Sequence, residues 1–215
     1  PCTIGSVGRP IGGIEVKIGD DDEVLLKGPT ITKGYYHRDA ANKDAFTEDG
    51  FFRTGDAGYI KDGELFLTDR IKDLFKTSNG KYIAPQLVES LILVDKYIDQ
   101  VAVIANERKF VSALIVPEFR LVEDWAKEHG IEFCSREDLC ANPKVNKMIL
   151  DRVKTLQQQL AHYEQVKRFI LLPAPFTMEN DELTNTLKVK RRVVYAHYAD
   201  KIEKMYVDAE KEHQA

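Results

Sequence analysis

Cysteine is scarce in this sequence. Its 215 residues include three cysteines, Cys2, Cys134 and Cys140, and none of them forms a CxxC pair. Three thiols cannot all pair with one another, and no close pair offers zinc ligands, so neither a disulfide framework nor a zinc site is indicated. A reducing compartment fits this cysteine content best.

Long apolar runs and a basic excess are also missing. No run approaches the roughly 20 residues that cross a bilayer, and no charged-then-apolar leader opens the chain. Because the chain begins with Pro1, we expect it to be a piece of a longer protein. The net charge of -4 argues against a nucleic-acid partner, since the one dense basic cluster is KVKRR at 188–192.

The first third of the chain reads as short strands. The runs IEVKI, EVLLKG and ELFLTD are separated by Gly and Asp clusters. Asp62-Gly63 is a strong hairpin signal, because a type I′ turn needs positive φ at both central residues. This pattern predicts a small antiparallel β unit that forms part of a barrel.

The pattern changes after Arg70. Pro85 suits the first turn of a helix, and strands are predicted at 100–105, 110–116 and 168–173. Helices are predicted at 121–129, after a Ser135 cap, from Asn142-Pro143 with an apolar stripe as far as Tyr163, and from about Lys190 after an irregular loop at 177–188. The size split indicates a β-rich domain followed by an α+β domain.

Thr54-Gly55-Asp56 is the first candidate site. A glycine turn at a sheet edge could present the Asp56 carboxylate, which can accept two hydrogen bonds side by side from a vicinal diol such as a ribose. The alternative is that Asp56 satisfies the amides of its own turn. The three residues alone leave both interpretations open.

A series of cations follows. Arg70 and Lys72 could bind phosphate or ribose oxygens, although each could equally be a solvated surface charge. The segment 76–81 could turn around a phosphate, but it lacks the glycine spacing of a Walker loop. Lys188, at the end of the polar loop, could reach a site on another domain and neutralise developing charge. Its alternatives are a solvated helix start and a nucleic-acid patch.

Five segments then occur in a characteristic order. They are GSVGRPIGGIEVKI, LLKGPTITKGYY, GFFRTGDAGYI, LFLTDRIKDLFKTSNGKYIAPQLVE and LTNTLKVKRR. Together they resemble the C-terminal part of an AMP-forming acyl-CoA synthetase of the adenylate-forming superfamily, over almost the whole chain. The resemblance implies that residues 1–70 are a small antiparallel β-barrel-like subdomain ending a large adenylation domain. Residues 71–215 would be the mobile α+β C-terminal domain.

The resemblance also implies roles for the candidate residues. Asp56 would bind the ribose hydroxyls of ATP, Arg70 would contact the nucleotide, and Lys72 would be the hinge of the mobile domain. Lys188 would be the catalytic lysine of adenylation. After rotation of the domain, Lys76 would act in thioester formation, with the turn at Gly80 beside the site for the pantetheine arm of CoA.

Two departures from the common family pattern favour one branch. Gly80-Lys81-Tyr82 stands where many members have Gly-x-Arg, and Leu187-Lys188 where many have Gly-Lys. Both features, with a helical insertion at 118–163, resemble the long-chain fatty acid–CoA ligases. The resemblance therefore implies fatty acid, ATP and CoA as substrates, with Mg²⁺ held by a glutamate upstream of this chain and no metal ligand within it.

The family's phosphate loop and acyl pocket also belong upstream. We therefore expect the chain to need its N-terminal domain as partner, to be inactive alone, to bind no nucleic acid and to lie in the cytoplasm. Contact of the whole enzyme with a membrane surface is left open. The alternatives are an aryl, acetyl or peptide-synthetase adenylation domain, and a nucleotide-binding or interaction module without catalysis.

Overall fold

The structure is a computed structural model that describes residues 3–214, without the side chains of 213 and 214. Cys2 lies outside the described residues, and Cys134 and Cys140 are both free cysteines. The chain separates into two compact units, Pro1–Leu74 and Phe75–Ala215. The boundary falls four residues after the predicted one, and the assignment of the first unit to the end of a larger domain stays a prediction.

The first unit is built on a four-stranded antiparallel sheet. Its strands, in spatial as well as chain order, are β1 (Glu15–Ile18), β2 (Glu23–Lys27), β3 (Phe52–Lys61) and β4 (Glu64–Arg70). Helix α1 (Asp39–Ala45) lies between β2 and β3 in the chain. Gly8 bridges Leu65, so the segment that leads into β1 also lies against β4 and the sheet curls. The predicted antiparallel unit is confirmed, including the hairpin with positive φ at Asp62 and Gly63.

The second unit mixes helices with two small sheets. Its strands are β5 (Phe75–Lys76), β6 (Tyr82–Ile83), β7 (Ile98–Ile104), β8 (Ser112–Pro117) and β9 (Arg168–Leu171). Its helices are α2 (Pro85–Ile92), α3 (Phe119–Glu128), α4 (Arg136–Ala141), α5 (Pro143–Leu156), α6 (Arg191–His197) and α7 (Ala199–Gln214). β5 pairs with β6, whereas β8 pairs antiparallel with β7 and parallel with β9. This confirms the predicted α+β class.

Local sequence signals explain most of these elements. The Ser135 hydroxyl accepts the backbone N–H of Asp138 at the start of α4, and Asn142 caps α5 in the same way. All six side chains of β8 are buried, which makes it the centre of the hydrophobic core. In the part of the chain that the structure describes, no helix is long and apolar enough to cross a membrane.

Two helix predictions were wrong in extent. The stripe predicted as far as Tyr163 stops being helical at Leu156, because the next side chain, Gln157, is buried and bonds both backbone groups of Val166. The single closing helix is two helices, since Tyr198 leaves the helical conformation with φ -108° and ψ 15°.

Candidate functional site

Asp56 and Arg70 are direct cross-strand partners on β3 and β4. Arg70 Nε lies 2.8 Å from Asp56 Oδ1. The Asp56 side chain is 29% exposed and that of Arg70 is 67% exposed, so water reaches the pair. An exposed ion pair contributes about 0–1 kcal/mol, and it can therefore rearrange around a ligand at small cost.

The Thr54-Gly55-Asp56 segment is a bulge and not a turn at a sheet edge, which corrects the sequence interpretation. Glu23 of β2 is aligned with Ala57 of β3, and Leu25 with Arg53. Between these two pairs β2 has one residue, Val24, whereas β3 has the three residues of this segment. The bulge is fixed because the Thr54 hydroxyl donates to the Val24 carbonyl at 2.7 Å and Gly55 adopts φ 70°. β3 lies inside the sheet, and the bulge interrupts its regular pairing with β2 while Asp56 stays paired with Arg70 of β4.

Glu23 performs the amide-binding role that was considered for Asp56. Its carboxylate accepts the Gly55 N–H at 3.1 Å and the Arg53 guanidinium at 2.8 Å, and it is buried. The Asp56 carboxylate instead faces Arg70. The sequence interpretation missed Glu23, and its place in the acidic run 20–23 hid it among ordinary surface charges.

A cavity of about 450 Å³ lies beside this bulge. Its lining residues are Glu23, Tyr35, Ala41, Asp44, Ala45, Arg53, Thr54, Gly55, Arg70 and Lys72. Two predicted residues, Arg70 and Lys72, therefore line the same cavity. The set combines cations and carboxylates with one exposed aromatic ring, Tyr35, a mixture suited to a polar ligand with a flat face.

Lys72 lies in a single 3₁₀ turn, Ile71–Asp73, at the end of the first unit. Arg70 before the turn and Leu74 after it are both extended, with ψ of 135° and 136°. A one-turn element between extended residues has few hydrogen bonds to break, which is compatible with a hinge. That Lys72 is a hinge stays a prediction.

Lys76 and Gly80 belong to one hairpin of the second unit. The Lys76 ammonium lies 5.5 Å from the centre of the Tyr82 ring, and its carbonyl accepts the Glu107 N–H at 2.7 Å. In the turn between β5 and β6, the backbone N–H groups of Thr77, Ser78, Gly80 and Lys81 all donate to protein acceptors. These amides are engaged within the protein and do not form a phosphate cradle.

Lys188 lies in a hairpin, where the sequence predicted an irregular loop. Leu183 and Val189 form a β-bridge, and α6 begins only at Arg191, so Lys188 precedes the helix start. Its side chain is exposed, as is that of Leu187, which has a left-handed φ of 59°. The hairpin presents the Lys188 ammonium to solvent on a short and ordered support.

The turn that carries Lys188 has the same construction as two other turns. Each begins with a threonine whose backbone N–H donates to the carbonyl of the fifth residue. The threonine carbonyl accepts the N–H of the fourth residue, and its hydroxyl accepts the N–H of the fifth. The three turns are TEDGF at 47–51, TSNGK at 77–81 and TNTLK at 184–188. Their fourth residues have φ of 81°, 76° and 59°. The third turn is the one with leucine in place of glycine.

Two buried carboxylates anchor the Lys188 region, and the sequence interpretation missed both. Glu89 on α2 accepts the Val103 N–H at 2.9 Å and pairs with Arg191 at 2.5 Å. Glu182, 2% exposed, lies at the base of the hairpin. A signal existed for Glu89, because it shares the buried face of α2 with Val88. Glu182 gave none.

Metal ligands are not clustered in the described residues. No group of three or more His, Cys, Asp or Glu side chains there could hold an ion.

The chain is similar to known proteins along most of its length. The family model described as "AMP-binding enzyme C-terminal domain" matches residues 72–210. The long-chain-fatty-acid–CoA ligase FadD15 of Mycobacterium tuberculosis is 36% identical over 205 residues, which is 94% of this chain and 34% of that protein. The chain thus spans about a third of the length of the curated relatives it matches.

Solved structures show the same fold. The adenylation domain of a carboxylate reductase from Mycobacterium chelonae has a TM-score of 0.65 at 26% identity, covering 93% of this chain and 31% of that chain. The O-succinylbenzoate coenzyme A synthetase of Bacillus subtilis, in complex with AMP, has a TM-score of 0.56 at 26% identity, covering 88% of this chain and 35% of that chain.

Proposed function

We propose that this chain, which belongs to the family of AMP-binding enzyme C-terminal domains, is the C-terminal part of an AMP-forming long-chain fatty acid–CoA ligase. The observation that carries the proposal is the 36% identity to a long-chain-fatty-acid–CoA ligase along 94% of the chain. The AMP complex of a structural relative supports an adenine nucleotide as ligand.

The reaction would proceed in two steps. A fatty acid carboxylate attacks the α-phosphorus of ATP, which forms acyl-AMP and releases pyrophosphate. The thiol of CoA then attacks the acyl carbonyl, which forms the thioester and releases AMP. Both steps develop charge on oxygen atoms, so positioned cations would accelerate them. Mg²⁺ would be held by the part of the protein that precedes this chain.

Asp56 and Arg70 are proposed to bind the nucleotide. A carboxylate has about four acceptor positions, and the ion pair with Arg70 uses one of them. Ribose hydroxyls can therefore donate to Asp56 while Arg70 holds the carboxylate in place. Arg70 lines the cavity beside the bulge, whereas Asp56 does not line it and is connected to it through its contact with Arg70.

Lys188 and Lys76 are proposed to serve different steps. Lys188 would stabilise the charge that develops during adenylation, and Lys76, after rotation about Lys72, would serve thioester formation beside the turn at Gly80. Their positions in two separate hairpins, each with an exposed side chain, support this division.

Product analysis with the full-length protein that contains this chain tests the proposal. With palmitate, ATP and Mg²⁺ it should release pyrophosphate, and with added CoA it should form palmitoyl-CoA. Acetate, aromatic acids and amino acids, tested in parallel, should be poorer substrates. ATP binding without pyrophosphate release for any acid would favour the non-catalytic nucleotide-binding module instead.

The 215 residues alone give a matched control. They hold the proposed ribose and phosphate contacts and lack the expected upstream phosphate loop and acyl pocket, so pyrophosphate release should stay at background. Robust activity of the purified chain would show that the active site has been misplaced.

A further inference from the structure

Glu182 is a buried carboxylate at the base of the hairpin that carries Lys188. One carboxylate oxygen accepts the Thr177 N–H at 3.1 Å, and the other lies 3.1 Å from Nδ1 of His197. Its side chain is 2% exposed, whereas that of His197 is 46% exposed. Glu182 thereby ties the start of the loop, the hairpin base and helix α6 together.

The backbone connects this buried anchor to Lys188 over a short distance. The Lys190 N–H donates to the Glu182 carbonyl at 2.7 Å, and the Thr184 N–H donates to the Lys188 carbonyl at 2.8 Å. Residues 182–190, the Lys188 hairpin, therefore form a continuous ladder from Glu182 to the lysine. Displacement of Glu182 would move Lys188 with it.

The turn at the tip of the Lys188 hairpin has an unfavourable backbone conformation. Leucine disfavours the left-handed conformation that Leu187 adopts, and the two matching turns use glycine there. Such a residue persists only where its surroundings determine it. The anchored base of the Lys188 hairpin supplies that determination.

A buried charge is itself unfavourable, since an apolar side chain of similar size is often at least as stable at such a place. The contacts of Glu182 with Thr177 and His197 are compatible with a role in orienting the Lys188 hairpin. The neighbouring acidic residues Glu179 and Asp181 are exposed, so Glu182 is the acidic residue of this loop turned inward.

We propose that Glu182 is a positioning residue for Lys188, acting with His197 to fix the Lys188 hairpin against α6. The inference rests on the proposed function, because it presumes that Lys188 serves adenylation. Beyond that function, the buried Glu182 would influence the adenylation rate by holding Lys188 in place.

A double-mutant cycle in the full-length protein tests the proposal. Glu182→Ala should lower the single-turnover rate of acyl-AMP formation about 10- to 100-fold, the scale expected when a catalytic group is misplaced by about 1 Å. Conversion of supplied acyl-AMP to acyl-CoA should change less than threefold. In a Lys188→Ala background, Glu182→Ala should have almost no further effect, because its action passes through that lysine.

Three further variants keep the test decisive. Glu182→Gln retains an acceptor for Thr177 and should restore part of the lost rate. His197→Ala removes the same contact from the half-exposed side and replaces Glu182→Ala if that variant does not fold. Glu179→Ala, a substitution of an exposed carboxylate in the same loop, should leave both half-reactions unchanged.

The outcomes separate the inference from the proposed function. If Lys188→Ala leaves adenylation intact, the assigned role of Lys188 fails and the inference fails with it. If Lys188→Ala impairs adenylation but Glu182→Ala costs the same factor in both backgrounds, or nothing in either, the function stands and the positioning role is overturned.

Hydrogen exchange of the 215-residue chain provides a readout that needs no activity. In Glu182→Ala, the amides of Thr184 and Leu187 should exchange at least tenfold faster than in the parent chain, while amides of β8 keep their protection. Unchanged exchange at the hairpin would overturn the proposal.

Discussion

Leu187 and Gly80 occupy the same position in two turns of the same construction, with φ of 59° and 76°. Glycine adopts this conformation without penalty, whereas an L-residue with a side chain is disfavoured by about 1–2 kcal/mol. The Lys188 hairpin therefore carries backbone strain that the turn at 77–81 does not.

Replacing Leu187 with glycine should stabilise the chain. Glycine makes the unfolded chain more flexible, which costs about 0.5–1 kcal/mol of stability. We expect the relief of the strained φ at residue 187 to be larger than this cost. Leu187 is exposed, so little packing is lost. We expect a net gain of about 0.5–1 kcal/mol in the free energy of unfolding, measured by urea denaturation.

Gly80→Ala is the matched reverse experiment. A Cβ at Gly80 would meet nothing within 4 Å, so backbone conformation alone decides the outcome. We expect a loss of about 1 kcal/mol. Equal effects of the two substitutions, with the same sign, would contradict the shared construction of the turns.

These turns also show what could be predicted from the sequence. The glycine of TSNGK predicts a turn, because glycine readily adopts a positive φ. Leucine stands at that position in TNTLK and gives no such signal, so the sequence predicts an irregular loop there. The strands and helix caps were predictable from local signals such as Asp62-Gly63, Ser135 and Asn142. The end of α5 was not, since it depends on a contact between Gln157 and Val166 nine residues later.

The residues of the candidate site could be predicted from the sequence, but the contacts between them could not. Asp56 and Arg70 were identified as candidates, but their direct contact depends on a register shift in β3 that no local pattern reveals. The buried charges of Glu23 and Glu182 were missed because a carboxylate in a polar stretch is ordinarily exposed.

Asp56→Asn should weaken nucleotide use in the full-length protein without unfolding it. The neutral amide would accept weaker hydrogen bonds from the ribose hydroxyls than the Asp56 carboxylate does. The KM for ATP should therefore rise about tenfold or more, because hydrogen bonds to charged groups contribute roughly 1.5–3 kcal/mol. The free energy of unfolding should change by less than about 1 kcal/mol, because the pair with Arg70 is exposed.

Asp49→Asn provides the control for Asp56→Asn. It breaks a comparable exposed ion pair, with Lys17 at 3.0 Å, and neither of these residues lines the cavity or contacts Arg70. Its KM for ATP should match that of the parent protein. A similar rise in both variants would show that charge loss in general, and not ribose binding, weakens ATP use.

The two described cysteines should differ in reactivity with pH. Burial, reinforced by Glu137, raises the pKa of the half-buried Cys140 to about 11. A raised thiol pKa means less thiolate, so about one part in a thousand of Cys140 is reactive at pH 8. Peptide mapping after iodoacetamide treatment at pH 8 should find the exposed Cys134 labelled far faster.

Labelling of Cys140 should then rise steeply with pH. Between pH 8 and pH 10, below its pKa, the thiolate fraction and the labelling rate should grow roughly 100-fold in the folded chain. Labelling of Cys140 at pH 8 as fast as that of Cys134 would contradict its buried environment.

Lys72→Pro should restrict the proposed hinge. Proline holds φ near -65°, a value that suits the 3₁₀ turn at Ile71–Asp73, and it prevents any rearrangement that needs a different φ at residue 72. In the full-length protein we expect one half-reaction to fall much further than the other. Lys72→Ala, which removes the side chain but keeps the backbone free, should not make one half-reaction fall much further than the other. A folded Lys72→Pro variant with equal loss of both would argue against a hinge at this residue.

The most direct test of the proposed division between the two lysines is single-turnover kinetics of both half-reactions in the full-length protein. Lys188→Ala should slow acyl-AMP formation about 10²–10³-fold, the usual effect of losing one preorganised donor, yet still convert supplied acyl-AMP to acyl-CoA. Lys76→Ala should do the reverse, and circular dichroism should show both variants folded. The contradicting result is that both substitutions depress the same half-reaction, or that Lys188→Ala adenylates normally while Lys190→Ala does not.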